Sequence, residues 1–216
     1  MLARIAEAFH EGGWPMYPIL GCSVFGVAIA LERYAVISAA ANVNKDSLLH
    51  EINSYILQGN LDKAVAIVSQ SKAPLTNIVR AGLMAVANRL GDEEVQTAMD
   101  AVALREVPRL EKNIGILAAI SNMATLVGLL GTVIGMIGAF ATVATVSASE
   151  KATVLASNIA EAMNCTAFGL IVAITTLEAY ILFNNWAQKV VDDIHEVSVT
   201  TLNFILTHRE KLARRT

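Results

Sequence analysis

The chain has 216 residues, of which 55% are hydrophobic, and its mean hydropathy is +0.53. That value is high for a soluble domain and low for a protein that lies wholly within lipid, so we expect membrane-spanning segments combined with a water-exposed part. The formal net charge of −3 argues against a nucleic-acid partner.

The first predicted element is the apolar segment 12–31, which contains no Asp, Glu, Lys or Arg. About 20 apolar residues in a helix suffice to cross a bilayer. Small residues would follow a secretion signal at its cleavage site, whereas Glu32 and Arg33 follow this segment. We therefore assign residues 1–34 to an interfacial segment and a first transmembrane helix. The interfacial segment has apolar residues spaced for one helical face at Leu2, Ile5, Ala6 and Phe9. A frayed terminus is the alternative interpretation of this segment.

Residues 35–112 are predicted to form a helical cytoplasmic domain of short amphipathic helices. Breaks between these helices are indicated by turn residues at Gly59, Pro74 and Gly91. Asp92 is predicted to cap the helix that follows. Helical signals then continue past Pro108 into the second apolar segment, so we expect one long helix that bends at this proline.

The second and third apolar segments, 114–146 and 153–186, each carry a stripe of small and hydroxyl-bearing residues. Members of each stripe recur at steps of three or four residues, which places them on one face of a helix. The stripe of the second segment is Thr125, Gly128, Thr132, Gly135, Ala139 and Thr142, and that of the third is Asn158, Ala162, Thr166, Gly169, Ala173 and Thr176. Both segments are longer than a bilayer requires, so we expect their inner ends to continue as helix into water.

These stripes indicate two helices that pack closely around a hydrated path. Small residues let helices approach each other in a bilayer, so we assign five glycines to helix packing: Gly128, Gly131, Gly135, Gly138 and Gly169. The hydroxyls of Thr132 and Thr166 are candidate pore-lining groups. As the alternative, each hydroxyl bonds only to the backbone of its own helix. Glu161, an ionisable residue at bilayer depth, is the third candidate for the path, and the role of Glu178 is left open.

Lysine and arginine indicate how the chain is oriented. One such residue precedes the first span, nine lie between residues 33 and 112, one lies between the second and third spans, and five follow residue 186. Because positive charge is retained in the cytoplasm, the N-terminus is predicted to be periplasmic and the C-terminus cytoplasmic. Residues 113–186 then form a transmembrane hairpin, and residues 187–216 form a cytoplasmic C-terminal helix.

The sequence contains no motif for a metal, a cofactor or an enzymatic reaction. Cys22 and Cys165 both lie in apolar spans without the spacing of a disulfide or metal site, and we interpret them as packing thiols. Nucleophile, phosphate-loop and metal-helix motifs are absent. We predict a protein that is not an enzyme and binds no metal or cofactor.

Several segments resemble the MotA/TolQ/ExbB proton-channel family. They are residues 18–34 (PILGCSVFGVAIALERY), 106–111 (EVPRLE), 126–136 (LVGLLGTVIGM) and 159–170 (IAEAMNCTAFGL). Their order across a short outer turn is typical of the family, and the three-span plan is more similar to ExbB and TolQ than to MotA. The chain departs from the family at Ala124 and near Ala173, where members commonly have proline.

The resemblance implies an all-α membrane protein that forms a homopentamer in the bacterial inner membrane. Two copies of a single-span partner, similar to ExbD or TolR, would lie inside it and carry the proton-binding Asp. By position, Thr132 and Thr166 match the pore threonines of the family, and Glu161 matches its acidic residue near the channel. Proton flow would drive rotation that performs mechanical work across the envelope.

Our leading hypothesis is a stator subunit that uses the proton motive force to energise outer-membrane transport in the ExbB manner, with a TonB-like protein as a further partner. A TolQ-like subunit for envelope constriction or gliding is the nearest alternative. A structural membrane scaffold and a channel that conducts without a partner are two further alternatives.

Overall fold

The computed structural model describes residues 12–209, so the predicted interfacial helix and the last seven residues lie outside the described range. Seven α-helices account for most of this range: α1 (Met16–Ala41), α2 (Lys45–Leu57), α3 (Leu61–Val68), α4 (Pro74–Ala87), α5 (Asp92–Glu111), α6 (Ile114–Val143) and α7 (Lys151–Thr207). No strand occurs among the described residues. The prediction of an all-α protein is confirmed.

Three helical stretches are long and apolar enough to cross a membrane, and they contain α1, α6 and α7. Their most apolar windows are only 17% to 22% buried within the chain. Large apolar side chains such as Phe25, Leu126 and Ile171 are therefore exposed. Exposed apolar surface of this extent is expected for helices that face lipid or other membrane helices. The chain is a membrane protein.

The third of these helices is the longest. α7 has 57 residues, a length of about 85 Å at 1.5 Å per residue, whereas the hydrocarbon layer is about 30 Å thick. It passes residue 187 without a break. The extension of the third span beyond the membrane is thus confirmed.

The described residues divide into two compact units. The hairpin unit comprises residues 12–32 and 113–182, and the bundle unit comprises residues 33–112 and 183–209. The core of the hairpin unit joins the three apolar helices through buried side chains of Met16, Ile19, Ala124, Cys165, Val172 and Ala173. The two thiols are free, and Cys165 is buried in this core.

The bundle unit is built from short amphipathic helices, whose apolar faces are buried. The predicted face of α4 is buried at Leu75, Ile78, Val79, Leu83 and Val86. Asn44 caps α2, because its Oδ1 accepts hydrogen bonds from the backbone N–H groups of Asp46 and Ser47. Arg33 is buried, and its Nη1 donates to the backbone oxygen of Arg109 at 3.2 Å, in the last turn of α5. This bond satisfies one of the carbonyl groups that a helix end leaves open.

The predicted cap at Asp92 is wrong by one residue. Gly91 is the N-cap of α5, and Asp92 is the first helical residue. The Glu94 carboxylate accepts a hydrogen bond from the Gly91 N–H at 2.6 Å. A glutamate three positions into a helix can satisfy the N-cap amide in this way. The Asp92 carboxylate instead forms an ion pair with Arg209.

The helix passes through Pro108 as predicted, but its continuation into the second span is interrupted. Pro108 lies inside α5, but the helix ends at Glu111 and α6 begins at Ile114. Asn113 separates them with a left-handed backbone, φ 64°, a conformation that asparagine tolerates better than most residues. Its side-chain amide donates to Glu32 Oε2 at 3.2 Å, which holds the start of α6 against α1 within the hairpin unit.

Candidate functional site

The two striped helices lie antiparallel and are joined by two side-chain hydrogen bonds to backbone. The Ser121 hydroxyl on α6 donates to the carbonyl oxygen of Ala173 on α7 at 2.8 Å, and this bond is buried. Further along α6, the Thr166 hydroxyl on α7 donates to the carbonyl oxygen of Gly128 at 2.7 Å. Residue numbers rise along one helix as they fall along the other, so the two stripes face each other.

Glycine permits the close approach of these helices. A Cβ atom placed on Gly169 would lie 2.8 Å from the Ala124 carbonyl oxygen and 3.0 Å from the Gly128 Cα atom. A Cβ atom on Gly135 would lie 2.6 Å from the Cβ atom of Ala162. Because such distances are shorter than contacts between real side chains, any larger residue would push the helices apart.

Gly131 and Gly138 have different surroundings. A Cβ atom on Gly131 would overlap the Cys165 sulfur and approach Pro15 at the start of the chain's described range. Gly138 has no heavy atom within 4 Å of its Cβ position, apart from its own helix and neighbours. The predicted packing contact of Gly138 is therefore not made within this chain.

The two candidate pore threonines bond differently. The Thr132 hydroxyl donates to the carbonyl oxygen of Leu129 in its own helix at 2.6 Å. Thr125, Thr142 and Thr176 likewise bond to their own helices. Thr166 alone among these threonines reaches the facing helix. Both candidates are half-buried, and within residues 12–209 neither hydroxyl bonds to the other.

Glu161 lies beside the segment that leads into α1. Its Oε1 would be 2.4 Å from a Cβ atom on Gly13, whose backbone has a φ of +68°. The carboxylate is exposed within the single chain. Glu178 is also exposed on α7. Gly13 was not among the residues that the stripes predict, since a contact between distant segments leaves no periodic pattern in the sequence.

The hairpin has few ionisable groups. Residues 114–149 contain no Asp, Glu, Lys, Arg or His, so α6 has no carboxylate that could bind and release a proton. Within the described part of the chain, no group of three or more His, Cys, Asp or Glu residues is placed to hold a metal ion. The carboxylates that α7 carries within the hairpin unit are those of Glu161 and Glu178.

Ser121 is the site residue that the stripe analysis missed. It lies four residues before Thr125 and therefore continues the same face by one more turn. The signal was present in the spacing. Its buried hydrogen bond to Ala173 makes it one of the two polar links between the helices.

The sequence matches known proteins over most of its length. Residues 70–196 match the MotA/TolQ/ExbB proton channel family. The biopolymer transport protein exbB1 of Vibrio cholerae is 28% identical over 209 residues, which cover 94% of this chain and 88% of that protein. A protein of Methanothermobacter thermautotrophicus that is named as an ExbB homolog is 26% identical over 198 residues, 91% of this chain and 69% of that protein.

Similarity to TolQ is higher in identity and shorter in extent. The Tol-Pal system protein TolQ of Pseudomonas aeruginosa is 38% identical over 99 residues, which cover 46% of this chain and 42% of that protein. The family match of residues 70–196 includes all of α6 and the hairpin-unit part of α7. The two hydrogen-bonded stripes therefore lie within the region that the family shares.

Proposed function

This chain belongs to the MotA/TolQ/ExbB proton channel family, and from that premise we propose that it is the proton-conducting stator subunit of an inner-membrane motor. The motor would couple the proton motive force to mechanical work across the envelope. The relatives named as biopolymer transport proteins support the ExbB-like form of this function, in which the work energises transport through the outer membrane.

The observation that carries the proposal is the polar, charge-free face between α6 and α7. Hydroxyls and backbone groups along it can solvate a proton-carrying group, but residues 114–149 supply no carboxylate. A carboxylic acid can bind and release a proton only if its surroundings hydrate the ionised carboxylate and also accommodate the neutral acid. We therefore infer that a single-span partner similar to ExbD or TolR supplies the Asp, and that Thr132, Thr166 and Glu161 contribute to its path.

The assembly is proposed to be a homopentamer around two copies of that partner, with a TonB-like protein as a further component. Five surrounding copies would cover apolar surface that a single chain leaves open. The distribution of Lys and Arg supports a periplasmic N-terminus and a cytoplasmic C-terminus. The path would then run through the hairpin unit from its periplasmic end to its cytoplasmic end.

A TolQ-like role is the second candidate. The 38% identity to TolQ of Pseudomonas aeruginosa exceeds the 28% identity to exbB1 of Vibrio cholerae. The two ExbB-named proteins described above, however, match more than nine-tenths of this chain, whereas the TolQ match covers less than half. This difference in extent favours the ExbB-like role.

A structural scaffold is the third candidate, favoured by the hydrogen bonds themselves. Both candidate threonines already donate to backbone carbonyls, and the glycines have a sufficient explanation in helix packing. A scaffold requires assembly and no proton flux.

Proton flux in vesicles tests these candidates. The chain is co-expressed with a candidate single-span partner similar to ExbD or TolR, purified as a complex and reconstituted with a pH-sensitive dye inside the vesicles. We expect flux under an imposed potential from the complex and little from this chain alone. Flux from this chain alone would establish a channel that needs no partner, and an assembled complex with no flux under any condition would favour the scaffold.

A further inference from the structure

A cavity of about 410 Å³ lies within the bundle unit, outside the proposed proton path. The part of α1 that follows residue 33, the loop between α3 and α4, and the end of α5 form its walls. Its polar lining includes Lys72 from the loop, with Glu106 and Arg109 from α5. Its apolar lining includes Val36 and Leu110.

Hydrogen bonds hold the two polar walls of this cavity together. The side-chain amide of Asn77 donates to Glu106 Oε1 at 3.2 Å and to the backbone oxygen of Lys72 at 3.4 Å. The loop is therefore tied to α5. The Arg33 guanidinium fixes the Arg109 backbone from the side of α1. These bonds hold the backbone of the loop and of α5 in position. The side chains of Lys72 and Arg109 therefore extend from backbone positions that are fixed.

The cavity has a surplus of positive charge. Glu106 is its one acidic lining residue among those described, and the side chain is largely buried and engaged by Asn77. Arg109 Nη1 forms an ion pair with Glu106 Oε2 at 3.6 Å, and its side chain is still 56% exposed. Lys72 is also exposed. Both cations are thus accessible to a ligand.

A neighbouring cavity contains a lysine whose charge is paired within the protein. It has a volume of about 310 Å³ and is lined by Lys45, Lys189 and Asp193. Lys45 Nζ lies 2.7 Å from both Asp193 Oδ1 and Glu196 Oε2, so its charge is already neutralised within the protein. The exposed Lys72 of the larger cavity has no such ion pair among the described residues.

Its position along the chain corresponds to the headgroup layer of a membrane. Val36 follows the last residue of the first apolar segment by five positions, or about 8 Å of helix. A headgroup layer extends roughly 5 to 8 Å beyond the hydrocarbon on each side. Arg109 precedes the start of α6 by five residues. Basic residues at this depth attract anionic lipids.

We propose that this cavity binds the headgroup of an anionic phospholipid, with Lys72 and Arg109 contacting the phosphate and Val36 and Leu110 contacting the glycerol and first methylene groups. The site requires that the chain crosses a membrane, and it is independent of proton conduction. A lipid bound there would join α1 to the end of α5 at the membrane surface.

Lipid binding to the purified full chain in detergent tests the proposal. The probes are short-chain phosphatidylglycerol, phosphatidylcholine with the same acyl chains, and inorganic phosphate, each titrated by calorimetry or native mass spectrometry. We expect phosphatidylglycerol to bind more tightly than the other two. Each charge removed should weaken binding about fivefold, so Lys72→Gln with Arg109→Gln should weaken it about 25-fold.

The matched control combines Lys63→Gln with Arg105→Gln, which removes two exposed charges of the bundle unit that do not line the cavity. It should retain binding within about twofold. Arg109→Lys keeps the charge and should also bind, which guards against loss through misfolding. Equal loss in the control pair, unchanged binding in the cavity pair, or equal affinity for phosphatidylcholine would overturn the proposal. Inorganic phosphate that binds as tightly as phosphatidylglycerol would assign the site to a soluble phosphate compound instead.

Discussion

The hydroxyl of Thr166 donates a 2.7 Å hydrogen bond to the carbonyl oxygen of Gly128 on the facing helix. This bond lies at a close approach of the two glycine-bearing backbones, since Gly169 and Gly128 also meet there. A hydroxyl in that position has two possible contributions: it can hold the hairpin together, and it can present its oxygen to a proton path. Substitutions can separate the two contributions because they change different measurements.

Thr166→Val should destabilise the hairpin as well as change the path. The valine removes one interhelical hydrogen bond, which is worth about 0.5 to 2 kcal/mol in a membrane. Thr166→Ser keeps the hydroxyl and should retain both stability and flux. Thermal unfolding in detergent and proton flux in vesicles measure the two effects. If Thr166→Val unfolds at the temperature of the parent chain, the hydrogen bond does not contribute to the stability of the hairpin.

Gly169→Ala should separate α6 from α7. The added methyl group would meet backbone atoms of Ala124 and Gly128, which cannot rotate away as a side chain does. We expect a loss of about 1 to 3 kcal/mol, measured as a lower unfolding temperature and as loss of the complex on size-exclusion chromatography. Gly138→Ala is the matched control, because the space around Gly138 is open within the chain.

The control also has an informative outcome. If Gly138→Ala leaves the unfolding of the isolated chain unchanged but prevents assembly, the glycine packs against another subunit. If Gly169→Ala is tolerated as well as Gly138→Ala, close packing of α6 on α7 is not required.

The sequence predicted the faces that meet in this hairpin, because the period of an α-helix places each stripe on one side. It did not predict features that depend on contacts between distant segments. Asn113 takes a left-handed backbone and bonds to Glu32, which interrupts the helix that the local pattern would continue. Glu161 on α7 lies beside Gly13, in the segment that precedes α1. Such contacts follow from the tertiary structure and leave no local pattern.

Gly13→Ala is expected to be destabilising for two reasons that a double substitution separates. The positive φ of Gly13 disfavours any residue with a Cβ atom, and that atom would also collide with Glu161 Oε1. Glu161→Ala removes the collision and leaves the backbone strain. Because the exposed Glu161 side chain can rotate away from an added methyl group, we expect the double variant to exceed the sum of the two single effects by a small coupling of about 0.5 kcal/mol.

Thermal unfolding of the four proteins in this cycle gives the coupling energy. Gly21→Ala serves as the control for α1, since no atom lies within 4 Å of its Cβ position. Purely additive effects would show that Glu161 does not contact the segment before α1.

Because of Lys45, the free energy of unfolding of the bundle unit should decrease at high pH. Hydrogen bonds that the Lys45 ammonium donates to Asp193 and Glu196 raise the pKa of Lys45 well above its ordinary value of 10.5. A raised folded-state pKa adds stability that is fully present below pH 10.5 and is lost as the pH rises through the higher pKa of the folded chain. Because the lysine is exposed, salt should weaken the effect.

The measurement is the difference in unfolding temperature between the parent chain and Lys45→Met. That difference should be constant from pH 7 to about 10 and should shrink at higher pH. Lys63→Met is the control, since Lys63 has no ion pair among the described residues. A difference that grows with pH would contradict the assigned ion pairs.

Thr132→Val gives the sharper test of the proton path, because Thr132 does not link the two helices. Its hydroxyl donates only to the carbonyl oxygen of Leu129 one turn earlier in α6. A carbonyl that loses this bond keeps its partner in the helical ladder, so we expect the unfolding temperature to change little, by the equivalent of about 0.5 kcal/mol or less. Valine has nearly the volume of threonine, and helix packing should persist. The prediction is therefore an assembled, stable complex with strongly reduced proton flux, whereas Thr132→Ser should conduct.

A scaffold makes the opposite prediction, since an assembled Thr132→Val complex would then work as well as the parent. If Thr132→Val retains full flux while the complex with its partner is intact, this threonine does not contribute to the path, and the pore-lining assignment on α6 fails.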